Sequence, residues 1–194
     1  TNNLIENDKY AEKIEAMREA LRDWQLKIYD SALLPESEMI KRAKDNGITI
    51  YEMVRNPKLY DLPALLDAAD LALEQNEKNI DELRNMLNNE DSGVRYWAMV
   101  GCFLLNDEVA GLKAINDDSD EVRVIAAWTL IKNGKREPGF TCLNDMLKKH
   151  SYATLKILNV MEWMGKDRKN MMNTVKNLDL SGEENGYELR RKEY

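Results

Sequence analysis

Asp91-Ser92-Gly93-Val94-Arg95-Tyr96-Trp97-Ala98 returns further along the chain as Ser119-Asp120-Glu121-Val122-Arg123-Val124-Ile125-Ala126. Val94 and Val122 stand 28 residues apart, a period at which self-similarity signals a repeat architecture. A weaker third copy runs Tyr152-Ala153-Thr154-Leu155-Lys156-Ile157-Leu158, and it ends at Gly165 as the second ends at Gly134. Each copy reads as the start of one helix. Asp and Ser cap it, because a short side-chain oxygen takes the orphan N–H groups of the first turn. Val94, Ala98 and Cys102 then share one face, as do Val122, Ala126 and Leu130. Alanine at the centre of that face lets a neighbouring helix come close. Between the copies, Val109, Leu112 and Ile115 at spacing three predict a second amphipathic helix with those residues inward.

One unit is therefore a helix pair stacked on the next. Val94, Arg95 and Ala98, matched by Val122, Arg123 and Ala126, resemble the short HEAT-like repeat, an α-solenoid module. The expected fold is all-α: an N-terminal long helix and connector, then a short HEAT-like α-α superhelix, right-handed by that resemblance.

The chain has 194 residues, enough for a sizeable core. Its net charge of −7 disfavours nucleic acid, which calls for a basic face, and disfavours an anionic membrane surface. No apolar run approaches membrane-spanning length. The chain starts at Thr1-Asn2-Asn3-Leu4, which reads as a cut piece of a longer protein, so a missing signal peptide says nothing about export. Two cysteines, Cys102 and Cys142, are too few for a zinc motif or a disulfide framework. Cys102 aligns with the apolar slot of Leu130, which predicts a buried thiol.

Residues 8–30 carry the strongest helical pattern. Tyr10, Ile14, Met17, Leu21, Trp24 and Ile28 alternate steps of four and three, a single apolar stripe. Pro35 suits a first helical position, and the short helix it opens should stop near Gly47. Thr49 and Glu52 have capping-box spacing. Asp61-Leu62-Pro63 opens the next helix, and another starts near Asn79 with Ile80, Leu83, Met86 and Leu87 apolar. Beyond Gly134, Pro138 leads into a helix with Leu143, Met146 and Leu147; residues 151–164 come next as its partner, and Asp167 is the expected cap of a last helix. The text turns polar from residue 177, a loop or frayed tail.

The first fifty residues carry a second resemblance. Asn3-Leu4, then Asp8-Lys9-Tyr10, a helix ending near Leu21 and Trp24, and Leu33-Leu34-Pro35-Glu36 with Glu38-Met39 resemble the C-terminal end of bacterial type I sulfatases, similar to sulfoglucosamine sulfohydrolases. Ile50-Tyr51-Glu52-Met53, Asn56-Pro57 and Val94-Arg95-Tyr96-Trp97-Ala98 look like the helical-repeat extension that some members carry. The resemblance implies three parts: residues 1–47, the terminal helix of the catalytic unit with its connector; 48–180, the HEAT-like repeat domain; and 181–194, a polar tail. It implies a periplasmic or secreted hydrolase of sulfated carbohydrates, glycosaminoglycans among them. The partner of this region is then the missing catalytic domain, which would also hold the family's calcium.

Within the chain itself the expectation is no catalytic residue, no cofactor and no metal. The sulfatase nucleophile sits in a Cys/Ser-x-Pro-x-Arg phrase, which neither Cys102, Cys142 nor any serine matches. Asp117-Asp118-Ser119-Asp120 reads as capping and a solvated turn, since it lacks the spaced oxygens of a calcium loop. His150, the one histidine, stands without a nucleophile or orienting partner. Trp97, Trp128 and Trp163 read as packing between repeats, with a sugar-binding surface as the sharper alternative. Arg95 and Arg123 are expected to pair with turn carboxylates such as Asp91 or Asp118. Against the sulfatase reading stands a free-standing HEAT-like adaptor that binds a partner protein. A DNA-binding HEAT protein is disfavoured by the acidic balance. The stripe of the first helix predicts docking on the missing unit or, in its absence, self-association.

Overall fold

The computed structural model describes residues 3–5, 7–149, 151, 153–180, 186 and 190–192. Among them every regular element is helical: α1 (Ala11–Ile28), α2 (Glu36–Asp45), α3 (Ile50–Met53), α4 (Leu62–Leu73), α5 (Ile80–Met86), α6 (Ser92–Leu104), α7 (Glu108–Ala114), α8 (Asp120–Lys132), α9 (Arg136–Lys149), α10 (Thr154–Trp163) and α11 (Met172–Lys176). Single 3-10 turns precede α1 and α5 and join α10 to α11. The protein is all-α.

Helix starts follow the cap chemistry. Thr49 and Glu52 make the reciprocal capping box that opens α3. Asp61 accepts the Ala64 N–H at 3.2 Å, with Pro63 in the first turn of α4. Asp91 accepts the Gly93 N–H at 2.6 Å. The second copy departs from this pattern. Ser119 stands at the N-cap of α8, yet its side chain makes no capping bond. Its own N–H instead donates to Asp117 at 2.8 Å. Gly134 ends that unit at φ +86°, a left-handed conformation that a Cβ would strain.

Helices α4, α6, α8 and α10 form one row, each against the next, while α5, α7 and α9 pack against that row. Val94, Ala98 and Cys102 are buried, and so are Val122, Ala126 and Leu130. Three apolar clusters succeed one another along the row. Trp97 touches the first and second, and Trp128 and Ile115 touch the second and third. Burying a side chain the size of Leu130 stabilises by about 1.5–3 kcal/mol, so the shared face carries the stack.

α7 corrects its expected face. Val109 and Leu112 are exposed, and Ala110, Gly111 and Ala114 are buried in their place. A Cβ on Gly111 would meet Leu130 Cδ2 at 3.0 Å, so α7 lies too close to α8 for large side chains. Small residues therefore take the inner face. Asp167 is a second correction. It lies within the 3-10 turn Gly165–Asn170, and Met171 is the N-cap of α11. Of the expected tail, Arg191 lies against α10, donating to Asn159 at 2.8 Å and pairing with Glu162. Residues 181–185, 187–189 and 193–194, and His150, lie outside the described residues.

Candidate functional site

The N-terminal stripe is a surface. Tyr10 and Ile14 are half-buried, while Met17, Leu21, Trp24 and Ile28 are 64%, 53%, 56% and 42% exposed. No residue of α1 is buried. The helix is held along its other side. Arg22 pairs with Asp67 at 2.5 Å and with Asp70 at 3.5 Å, both on α4. Leu26 packs on the first apolar cluster. At its C-terminal end, Tyr29 takes a left-handed conformation at φ 56°, and the buried Tyr60 hydroxyl donates to the Asp30 carbonyl at 2.6 Å. Burial pushes the Tyr60 phenol up to about 12, which keeps this clamp protonated. The chain thus fixes the orientation of α1 and leaves its apolar stripe uncovered, with Leu4, Ile5 and Tyr29 also exposed nearby in sequence.

The repeat arginines differ. Arg95 is buried and forks onto Asp117, with Nε and Nη2 donating at 2.8 and 2.9 Å. It also pairs with Asp118, and its Nη1 donates to the Asn89 and Glu90 carbonyls at 2.9 and 3.0 Å. Burial alone would raise the Asp117 carboxyl. The Arg95 fork and the Ser119 N–H outweigh that and hold it below the usual carboxylate range. Arg123 has no such fork. Its ion pair is a long one, 3.5 Å to Asp120 on its own helix, and it donates to the Cys142 sulfur at 3.7 Å. Its Nε is buried without a partner. The expectation that both arginines meet a turn carboxylate such as Asp91 or Asp118 therefore holds for Arg95 and fails for Arg123.

Asp91 instead belongs to Arg42, which donates to it at 2.7 and 3.2 Å and to Glu38 at 2.9 Å. Asp107 caps α7 and accepts Arg84 at 2.7 and 2.8 Å. Burial would raise both carboxyls, and their arginines hold both low. The repeat pattern gives no hint of Arg42 or Arg84. The available signal was the capping aspartate, which in each case is also an arginine's acceptor.

α2 roofs an open cleft of about 460 Å³ at the N-terminal ends of α6 and α8. Glu38, Glu90, Asp118 and Glu121 line it together with Lys41 and Arg95. Ser37 donates to Glu121, a buried carboxylate that also accepts Lys156 at 2.5 Å. That bond ties the connector to the second and third copies. No cluster of three or more metal-ligating side chains occurs among the described residues. Burial pushes the Cys102 thiol up to about 12 and raises that of Cys142. Both sulfurs sit in the core as protonated thiols.

The tryptophans divide. Trp97 donates from Nε1 to the Leu33 carbonyl at 2.7 Å and packs between clusters, as expected. Trp128 is half-buried. Trp163 is 63% exposed, against its expected place between repeats.

Comparison with protein-family models, with curated proteins and with solved structures finds no match. No helix of the described residues is long and apolar enough to cross a membrane.

Proposed function

We propose that this chain is the non-catalytic C-terminal accessory region of a sulfatase-like enzyme that removes sulfate from carbohydrate. The carrying observation is the uncovered stripe of α1, fastened along one side by Arg22 and open along the other. An exposed apolar patch of this kind marks an interface. On this reading the stripe docks on the catalytic unit that precedes it. That unit supplies the nucleophile and the calcium, and the enzyme works in the periplasm or outside the cell. The repeat stack is then a scaffold that carries the docking helix. Alone, the chain pairs with itself through the same stripe, since spacing of four and three suits a helix–helix seam.

Two experiments test this. The coding sequence upstream of Thr1 should contain a Cys/Ser-x-Pro-x-Arg phrase, and a start codon adjoining Thr1 would contradict the reading. Light scattering of the chain should show concentration-dependent association that Leu21→Glu abolishes. A strict monomer at every concentration would remove the seam.

The acidic cleft under α2 favours a second reading, a HEAT-like adaptor that receives a basic segment of a partner protein. On that reading Glu90→Lys and Asp118→Lys weaken partner binding and Leu21→Glu does not.

A further inference from the structure

We propose that the stripe of α1 receives an acid-flanked amphipathic helix of a partner protein, one whose apolar seam is edged by glutamate or aspartate. At about 100° per residue, Lys13, Arg18 and Lys27 lie within about 100° of the middle of the stripe. Glu12, Glu15, Glu19 and Asp23 lie about 140° or more away, towards the back of the helix. Lys13, Arg18 and Lys27 are exposed and make no ion pair among the described residues. Arg22, farther round, is the arginine that the carboxylates of α4 hold. A chain of net charge −7 thus edges its open apolar stripe with unneutralised positive charge.

The C-terminal end of the stripe is basic too. Tyr29 follows Ile28, and the Arg55 guanidinium lies 4.6 Å from the Tyr29 ring centroid and 3.6 Å from that of Tyr51. Its Nη1 donates to the Tyr51 carbonyl at 3.1 Å. Arg55 is exposed and meets no carboxylate among the described residues. A guanidinium stacked on two aromatic rings keeps its orientation, and its remaining N–H groups suit a carboxylate of the partner. Tryptophan, tyrosine, methionine and arginine are also the side chains that interfaces favour.

A second copy of this chain fits these charges less well. The flanking positions of two paired helices face one another across a seam. With the stripes in full overlap, an antiparallel pair sets Arg18 against the partner's Arg18, and a parallel pair sets Lys13 against the partner's Arg18. Self-pairing is then the weaker use of the stripe. An anionic membrane surface also fits less well, because Glu12, Glu15, Glu19 and Asp23 share α1 with the cations and α4 adds Asp67 and Asp70.

The inference rests on the reading of the stripe as a docking surface and names the chemistry of what docks, so the two fail separately: the upstream coding sequence decides which body brings the partner helix, and the flanking charge is decided on this chain. The probes are two dye-labelled peptides of three heptads with leucine at both seam positions. One carries glutamate on both flanks and the other lysine, and each is titrated with the whole chain by fluorescence anisotropy. The glutamate peptide should bind at least about tenfold more tightly than the lysine peptide, and about 1 M salt should narrow the gap. Leu21→Glu should abolish its binding. Lys13→Glu, Arg18→Glu and Lys27→Glu together should reverse the preference, and Arg55→Gln should weaken the glutamate peptide about threefold. All these positions are exposed, and circular dichroism checks that the variants keep the fold. No binding of the glutamate peptide, equal or tighter binding of the lysine peptide, binding that survives Leu21→Glu, self-association tighter than glutamate-peptide binding, or capture of the chain by phosphatidylserine vesicles in its place would each overturn the proposal.

Discussion

α1 and α8 carry the same information in different places. α1 runs for 18 residues with none buried, whereas α8 runs for 13 with nine buried. α8 is surrounded by α6, α7, α9 and α10, so its apolar residues spread round most of its circumference. α1 meets α4 through Arg22 and sets Leu26 on the first apolar cluster, while the described residues leave Met17, Leu21, Trp24 and Ile28 of its stripe largely exposed.

The sharpest contrast is between the arginines that hold each helix in place. Arg95 is a buried fork whose loss strands Asp117 beside the turn. Arg95→Ala should cost about 3–5 kcal/mol, the range for breaking a buried pair. Arg22 faces Asp67 and Asp70, which are 69% and 73% exposed, so Arg22→Ala should cost about 1 kcal/mol or less. Arg123→Ala should fall at the same low end, because its ion pair is long and lies within one helix. Urea unfolding of the three variants measures the ranking. Equal losses at Arg22 and Arg95 would contradict this ranking.

The apolar residues give a second contrast. Leu130→Ala should cost about 2–5 kcal/mol, since it empties a fully buried site. Leu21→Ala should stay within about 0.5 kcal/mol, as a surface change does. Thermal unfolding of both variants reads the difference.

Acid provides a smaller, graded test. The carboxyls of Asp91, Asp107 and Asp117 all lie below their ordinary range in the folded chain. Their contribution is full above the unfolded carboxylate value of about 3.9 and is lost as pH falls through the lower folded values. The melting temperature should be flat from about pH 7 to 5 and fall below about pH 4. Asp117→Asn should lower it at neutral pH and flatten the acid fall. An Asp117→Asn profile parallel to that of the parent would deny this carboxyl its role.

Local chemistry made most of the fold legible in the residues. The Thr49–Glu52 box, the caps at Asp61 and Asp91, and the stop at Gly134 depend on neighbours within a few positions. The faces of α6 and α8 were also legible, because both helices pack on both sides. α7 misled, since its sequence supports two faces and the close approach of Leu130 selects the small one. Arg123 misled for another reason. Residue 145, the counterpart of Asp117 one period on, falls inside α9, where Asp145 pairs with Lys148 at 3.0 Å. The longer α9 carries that carboxylate away from the turn. Trp163 could not be placed from spacing, because exposure at the end of a row is set by whether another helix stacks beyond it.

α1 is tied to the stack by Arg22 and Leu26 and lies outside its apolar core. Amide hydrogen exchange of the monomeric Leu21→Glu chain tests it most directly. α1 should exchange through local openings of low free energy, while α6 and α8 should exchange at or near the global unfolding limit. Protection of α1 equal to that of α8 would make it part of the repeat core and contradict its place outside that core.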